Sequence, residues 1–222
     1  MGLFGWVENG VLSNTGIKGA LMSVVGAGNT GSLAGRVEQT VVKEVYAKGA
    51  VKGSYSVGGL IGELSQDSFI YSSYTSGFVE GKTFDVGGLA GSVSRSDVIG
   101  SYSTSAVSTY WYTAGGLIGN LYEGSVTASF ATGTVAADKR VGGLIGSAGS
   151  GSVIEASFAT GYLSSNDDGS VTKGGLLGAN SGYVQSINSY WATDTTKSLY
   201  TSASTSAGLR SDSFSTFIPI WP

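Results

Sequence analysis

The chain repeats one phrase at a fixed interval. Tyr46, Tyr74, Tyr102, Phe130, Phe158 and Tyr190, all but the first preceded by serine, are separated by 28, 28, 28, 28 and 32 residues. A second phrase runs in phase: Gly58-Gly59-Leu60, Gly87-Gly88-Leu89, Gly115-Gly116-Leu117, Gly142-Gly143-Leu144 and Gly174-Gly175-Leu176. Gly31-Ser32-Leu33 and a shortened Gly2-Leu3-Phe4-Gly5 carry it toward the N-terminus. A period of this length describes a stack of small units, none of which buries its apolar face alone. The 222 residues therefore read as one continuous array, residues 1–195, followed by a tail, residues 196–222.

Within one repeat, apolar residues lead the aromatic by four positions (Val42, Ile70, Val98, Val126, Ile154) and small residues lead it by two (Ser72, Gly100, Ala128, Ala156). With the aromatic itself they form a period-2 face, which places the aromatic inward and the serine row Ser73, Ser101, Ser129, Ser157 and Ser189 outward. Thr132-Gly133 and Thr160-Gly161 mark a corner, beyond which Val51, Val79, Val107, Val135 and Leu163 form another apolar row. The paired glycines predict a tight bend with close backbone approach, followed by a further strand at Leu60, Gly62 and Leu64.

Each repeat thus makes about three short strands. The expected fold is all-β: a parallel β-solenoid, or right-handed β-helix, of about seven ~28-residue coils, ~4.8 Å apart and roughly 30 Å long. A lone coil would bury about four apolar side chains, at ~1.5–3 kcal/mol each, against ~1–2 kcal/mol per ordered residue, so only stacking makes it stable. The apolar tail, from Phe214 through Phe217, Ile218 and Trp221, is expected to cap the last coil or begin a further segment.

Composition removes several function classes. The 37 glycines follow no Gly-X-Y period, so collagen is excluded, and 41% hydrophobic residues are too many for a disordered chain. The net charge is −3 and the 12 Lys and Arg are scattered, which argues against nucleic acid as a partner. No apolar run approaches the ~20 residues of a membrane-spanning helix, so membrane insertion is not expected. The absence of Cys and His removes thiolate metal sites and the commonest general base and metal ligand. With low charge and abundant Gly, Ser and Thr, the composition fits an extracellular, surface-located protein. Met1 leads straight into repeat-like sequence without a secretory signal. The chain reads as a segment of a longer protein with Met1 as an added start, neighbouring domains being expected partners.

The Gly-Leu-Ile-Gly phrases at Gly59, Gly116 and Gly143, Gly88-Leu89-Ala90-Gly91, and the Ser-Phe-Ala-Thr-Gly phrases at Ser129 and Ser157 resemble those of the GLUG-repeat family. Asn188-Ser189-Tyr190-Trp191 resembles the phrase that ends such arrays, and the likeness covers roughly residues 2–195. The first coil departs from it, with Thr15-Gly16 where Val45-Tyr46 later falls. The resemblance implies a segment of a large secreted or surface-anchored microbial protein, adhesins included, and brings no catalytic residue.

Five aromatics form the candidate binding site. Tyr55, Phe84 and Tyr112 each precede the paired glycines by three and should stack at one corner, with Tyr110 and Trp111 beside them. They are read either as a ladder that stabilises the bend or as a platform for a cell-surface glycan or host protein. A hydroxyl row at Ser76, Thr104, Thr132 and Thr160 offers an ice-binding alternative, interrupted by Lys48, against ordinary corner hydrogen bonding. An uncovered solenoid end offers a third, end-to-end self-association.

Other motifs are expected to be inert. Gly26-Ala27-Gly28-Asn29-Thr30-Gly31 matches a dinucleotide-binding pattern, but no amphipathic helix follows, so it is read as a bend and no cofactor is expected. Gly77-Phe78-Val79-Glu80-Gly81-Lys82-Thr83 is one residue short of a phosphate loop. Asn166-Asp167-Asp168-Gly169 offers few oxygens for Ca²⁺ and is read as a solvated turn, leaving no expected metal site. Glu63, Asp97, Glu123 and Glu155 fall at different phases of the repeat, and the chain is not expected to be an enzyme.

Overall fold

Two of the turns in most coils rest on one residue in the left-handed region, joined in one coil by a second, Gln66, with φ of 57°. The computed structural model describes residues 1–165 and 171–192. One corner uses Glu44, Ser72, Gly100, Ala128, Ala156 and Asn188, with φ of 56°, 44°, 57°, 48°, 48° and 47°. The other uses Gln39, Asp67, Arg95 and Glu123, with φ of 45°, 58°, 46° and 51°. Between corners the backbone is extended. One coil runs through strands Ile61–Ser65, Phe69–Tyr71, Tyr74–Gly81 and Asp85–Gly87.

Every strand pairs in parallel with its counterparts one coil away. Leu64 lies between Val37 and Val93, Ile70 between Val42 and Val98, Tyr74 between Tyr46 and Tyr102, and Val86 between Val57 and Ala114. Four parallel sheets of seven, seven, ten and five strands result, called here the first to the fourth sheet in the order the chain visits them. No helix occurs among the described residues. The chain is a β-solenoid of about six turns, close to the about seven coils that the period predicts. Each full coil contributes to four sheets where three strands were expected, because the residues leading into each glycine pair form a short sheet of their own. The glycines do approach backbone closely: a Cβ on Gly116 would lie 2.2 Å from the carbonyl oxygen of Gly143.

The core is a set of columns parallel to the stack. Leu33, Leu60, Leu89, Leu117 and Leu144 form one, and Val42, Ile70, Val98, Val126 and Ile154 another, all fully buried. Val51, Val79, Val107, Val135 and Leu163 fill a smaller core with Val57, Val86 and Val141 of the fourth sheet. Among the described residues the leucine column ends at Leu3, which no described coil covers and which is 63% exposed. At the opposite end Trp191, in register with Ala159, turns inward and is 4% exposed. Its ring lies where a Cβ on Gly175 would stand, so the last described coil fills its interior with an indole where earlier coils have a methyl or hydroxyl side chain. The expected C-terminal cap, residues 196–222, lies outside the described residues.

The serine and aromatic rows are the reverse of the expectation. Ser73, Ser101, Ser129, Ser157 and Ser189 are buried, whereas Tyr74, Tyr102, Phe130, Phe158 and Tyr190 are only half-buried and stand on the outer face. The left-handed residue two positions before each aromatic is the cause, since it turns the strand and resets the in-out alternation. The inward hydroxyl has work there. Ser73 N–H donates to Ser101 Oγ, Ser101 N–H to Ser129 Oγ, Ser129 N–H to Ser157 Oγ and Ser157 N–H to Ser189 Oγ, each at 3.1 Å. Each hydroxyl in turn donates back to the carbonyl two residues earlier, as Ser101 does to Ile99 at 3.0 Å. A serine spine thus satisfies backbone groups that the corner removes from the ladder.

Candidate functional site

A different corner, between the third and fourth sheets, carries the candidate site. Strand Tyr74–Gly81 is followed by residues 82–84 and then Asp85–Gly87; strand Ala106–Thr109 is followed by residues 110–112 and then Thr113–Gly115. Gly81 pairs with Thr109 and Asp85 with Thr113, so Tyr110, Trp111 and Tyr112 form a three-residue arch stacked on residues 82–84 of the preceding coil, Tyr112 opposite Phe84. The ladder forms. Tyr55 and Phe84 stack with centroids 5.5 Å apart and planes 10° apart, while Phe84 and Tyr112 are 6.3 Å apart and tilted by 54°. Tyr112 also carries cations, with Arg140 Cζ 5.0 Å and Lys139 Nζ 5.5 Å from its centroid.

Tyr110 and Trp111 stand beside this ladder. They are 63% and 66% exposed, and neither contacts another ring or a cation among the described residues. Rings inside a parallel stack present mainly their edges to water; a ring outside it presents its face. The five aromatics therefore divide into a column of neighbouring rings, Tyr55, Phe84 and Tyr112, and two exposed, unstacked rings, Tyr110 and Trp111.

Beneath the arch lies a polar column missed in the sequence. Asp85, Thr113 and Arg140 are in direct parallel register. Thr113 is fully buried and its Oγ1 has no hydrogen-bond partner; Thr109, at the foot of the arch, is 5% exposed with its Oγ1 likewise unpartnered. Burial pushes the Asp85 carboxyl up to about 6, against the opposing pull of the Arg140 charge. Perturbed titration beside unmet polar groups is a usual mark of a functional site. A signal did exist in the sequence: Asp85, Thr113 and Arg140 all precede the glycine pair by two, one position from the aromatic column.

The hydroxyl row lies on the outer face of the third sheet. Thr104 and Thr132 are exposed, Ser76 and Thr160 half-buried, and backbone bonds to the preceding coil hold Thr104, Thr132 and Thr160 at the strand spacing. Lys48 occupies the same column one coil earlier, paired with Ser76, and Lys18 precedes it. Beside this row runs the outer aromatic ladder, where Tyr74, Tyr102, Phe130 and Phe158 stack at 4.8, 4.7 and 4.9 Å with planes within 5°. Lys48 Nζ sits over Tyr46 and Tyr74, 5.7 and 5.6 Å from their centroids.

Two carboxylates do converge. Arg36 bridges Glu38 at 2.5 Å and Glu63 at 3.9 Å, and Glu38, 4% exposed, also accepts from Gln66 at 2.9 Å. Asn29 Nδ2 donates to Glu63. Shared with an arginine and tied by hydrogen bonds, these acids read as a structural network. The glycine-rich motif at Gly26 is a bend whose Thr30 bridges to Val57, and Phe78–Gly81 of the second motif belongs to a continuous strand. Asn166-Asp167-Asp168-Gly169 lies outside the described residues. Among the described residues no group of three or more acidic side chains converges as a metal site, and no helix is long and apolar enough to cross a membrane. No protein-family model matches the chain, and no curated protein matches it.

Proposed function

We propose that the chain is a non-catalytic presenting scaffold: an extracellular, GLUG-like solenoid segment of a bacterial surface adhesin that holds Tyr110 and Trp111 toward a cell-surface glycan. The observation that carries this reading is the exposed, unstacked Trp111 on a three-residue arch between two strands, beside the Tyr55, Phe84 and Tyr112 rings. An arch anchored by a strand at each end limits the backbone freedom lost when a sugar ring stacks on its indole. Binding of the whole chain and of Trp111→Ala to a glycan array and to cells tests the reading. Loss of binding in the variant supports it; undiminished binding removes it.

The outward hydroxyl row supports a second reading, ice binding, because Thr104 and Thr132 point to solvent from successive coils. Thermal hysteresis and ice-recrystallisation assays decide it. A solution that freezes as buffer does would end this reading and leave the first untouched.

A further inference from the structure

We infer that the glycan taken at this corner is anionic, its carboxylate or sulfate held by Arg140 and Lys139 while a neighbouring sugar ring stacks on Trp111. The inference rests on the glycan reading given above and adds the ligand's charge. Its ground is a pair of cations that form no salt bridge among the described residues, Arg140 interacting with Asp85 only through the longer-range pull of its charge. Among the described residues salt bridges join Arg36 to Glu38 and Glu63, and Lys52 to Glu80, and none includes Lys139 or Arg140. Their recorded contacts at this corner are with the Tyr112 ring, which positions both charges one coil from the arch. Tyr112 precedes Thr113, and Thr113 is in register with Arg140, so the guanidinium belongs to the coil stacked directly on the arch. The Arg140 N–H donates to the Tyr112 carbonyl at 2.9 Å, which ties the two coils at this point.

Chemistry favours an acid over a neutral sugar. A planar guanidinium matches the paired oxygens of a carboxylate or sulfate, and the adjacent ammonium adds a second donor. The ring beneath them holds these cations without neutralising them. The unpartnered Thr113 hydroxyl, fully buried between Asp85 and Arg140, is a second mark of a site whose polar groups are incompletely satisfied in the free protein. Of the acids nearby, Asp85 meets the Arg140 charge only at long range. Asp85 is in register two coils from Arg140 and forms no salt bridge with it, and Glu80 is engaged by Lys52 at 3.1 Å.

The test is calorimetric titration of the whole chain with three hexasaccharides: a polygalacturonate fragment, a heparin fragment and cellohexaose, each at low and at physiological salt. At least one anionic probe should bind about tenfold or more tightly than the neutral one, and which of them binds separates carboxylate from sulfate. Arg140→Gln should weaken that binding about ten- to hundredfold, the equivalent of one charge-assisted hydrogen bond. Lys139→Gln, at an exposed position, should weaken it less and keeps the test sound if the arginine variant folds poorly. Trp111→Ala should weaken every probe that binds. Equal binding of cellohexaose, or no loss in either charge variant, would overturn the anionic assignment and leave the glycan reading standing. Anionic binding indifferent to Trp111→Ala would overturn it as mere ion exchange. No binding of any of the three hexasaccharides by the parent chain would overturn the inference, and the array and cell assays then judge the glycan reading separately.

Discussion

Two corners of the same coil are built on opposite terms. At the serine corner the hydroxyls of Ser73, Ser101, Ser129 and Ser157 accept from one backbone group and donate to another, coil after coil. At the aromatic corner Thr109 and Thr113 keep unpartnered hydroxyls, Asp85 titrates high and Trp111 faces water. The first corner repeats because the stack needs it. The second varies from Tyr55 to Phe84 to Tyr112 to Lys139 because the stack does not. A solenoid can therefore confine its structural demands to one edge and leave another free to carry binding chemistry.

The comparison breaks most plainly at the spine. Replacing both Ser101 and Ser129 with alanine leaves the N–H groups of Ser73 and Ser101 without acceptors and should cost about 2–6 kcal/mol, from ~1–3 kcal/mol for each buried group. Urea denaturation measures the loss; a change below about 1 kcal/mol would mean that water or backbone shifts replace the hydroxyls.

Asp85 tests the other corner. Its folded pKa of about 6 lies above the ordinary aspartate value of 3.8, so the folded chain binds more protons across that interval and loses stability as pH rises through it. The full penalty, about 3 kcal/mol for a shift of roughly two units, holds above about pH 6 and vanishes below about pH 4. Asp85→Asn should accordingly raise the melting temperature at pH 8 and leave it unchanged at pH 3. An equal effect at both values would assign the change to packing.

Ala128 sharpens the account of the serine corner at a smaller scale. It holds φ of 48°, and Ala128→Gly should stabilise the chain by about 1 kcal/mol through relief of that strain, less the glycine's own entropy. Destabilisation would show that the methyl group contributes packing that outweighs the strain. The smallest expected effect on stability is Trp111→Ala, within about 0.5 kcal/mol, because the indole is exposed and unstacked. A melting temperature lowered by many degrees would make Trp111 part of the framework and weaken its claim as a binding platform.

Much of the fold was legible because stacking in register copies the sequence period into space. Tyr74, Tyr102 and Phe130 lie in one column as their spacing requires, and the columns of Leu60 and Ile70 are buried as their pattern requires. Tyr55, Phe84 and Tyr112 stack for the same reason. The in-out assignment around Ser73 was not legible. Ser72 and Ala128 are ordinary residues with no local preference for positive φ, and a period-2 reading carried through them reverses every position that follows.

The sequence by itself determined the repeat, the identity of the columns and the architecture, since in-phase apolar residues reach a common core only when coils stack. Tertiary structure alone decided which face each column took, and which charges met the arch. Left-handed corners are tolerable because the neighbouring coils' hydrogen bonds hold them, and the burial of Asp85 and the seating of Arg140 over the Tyr112 ring depend on coils above and below that no single repeat contains.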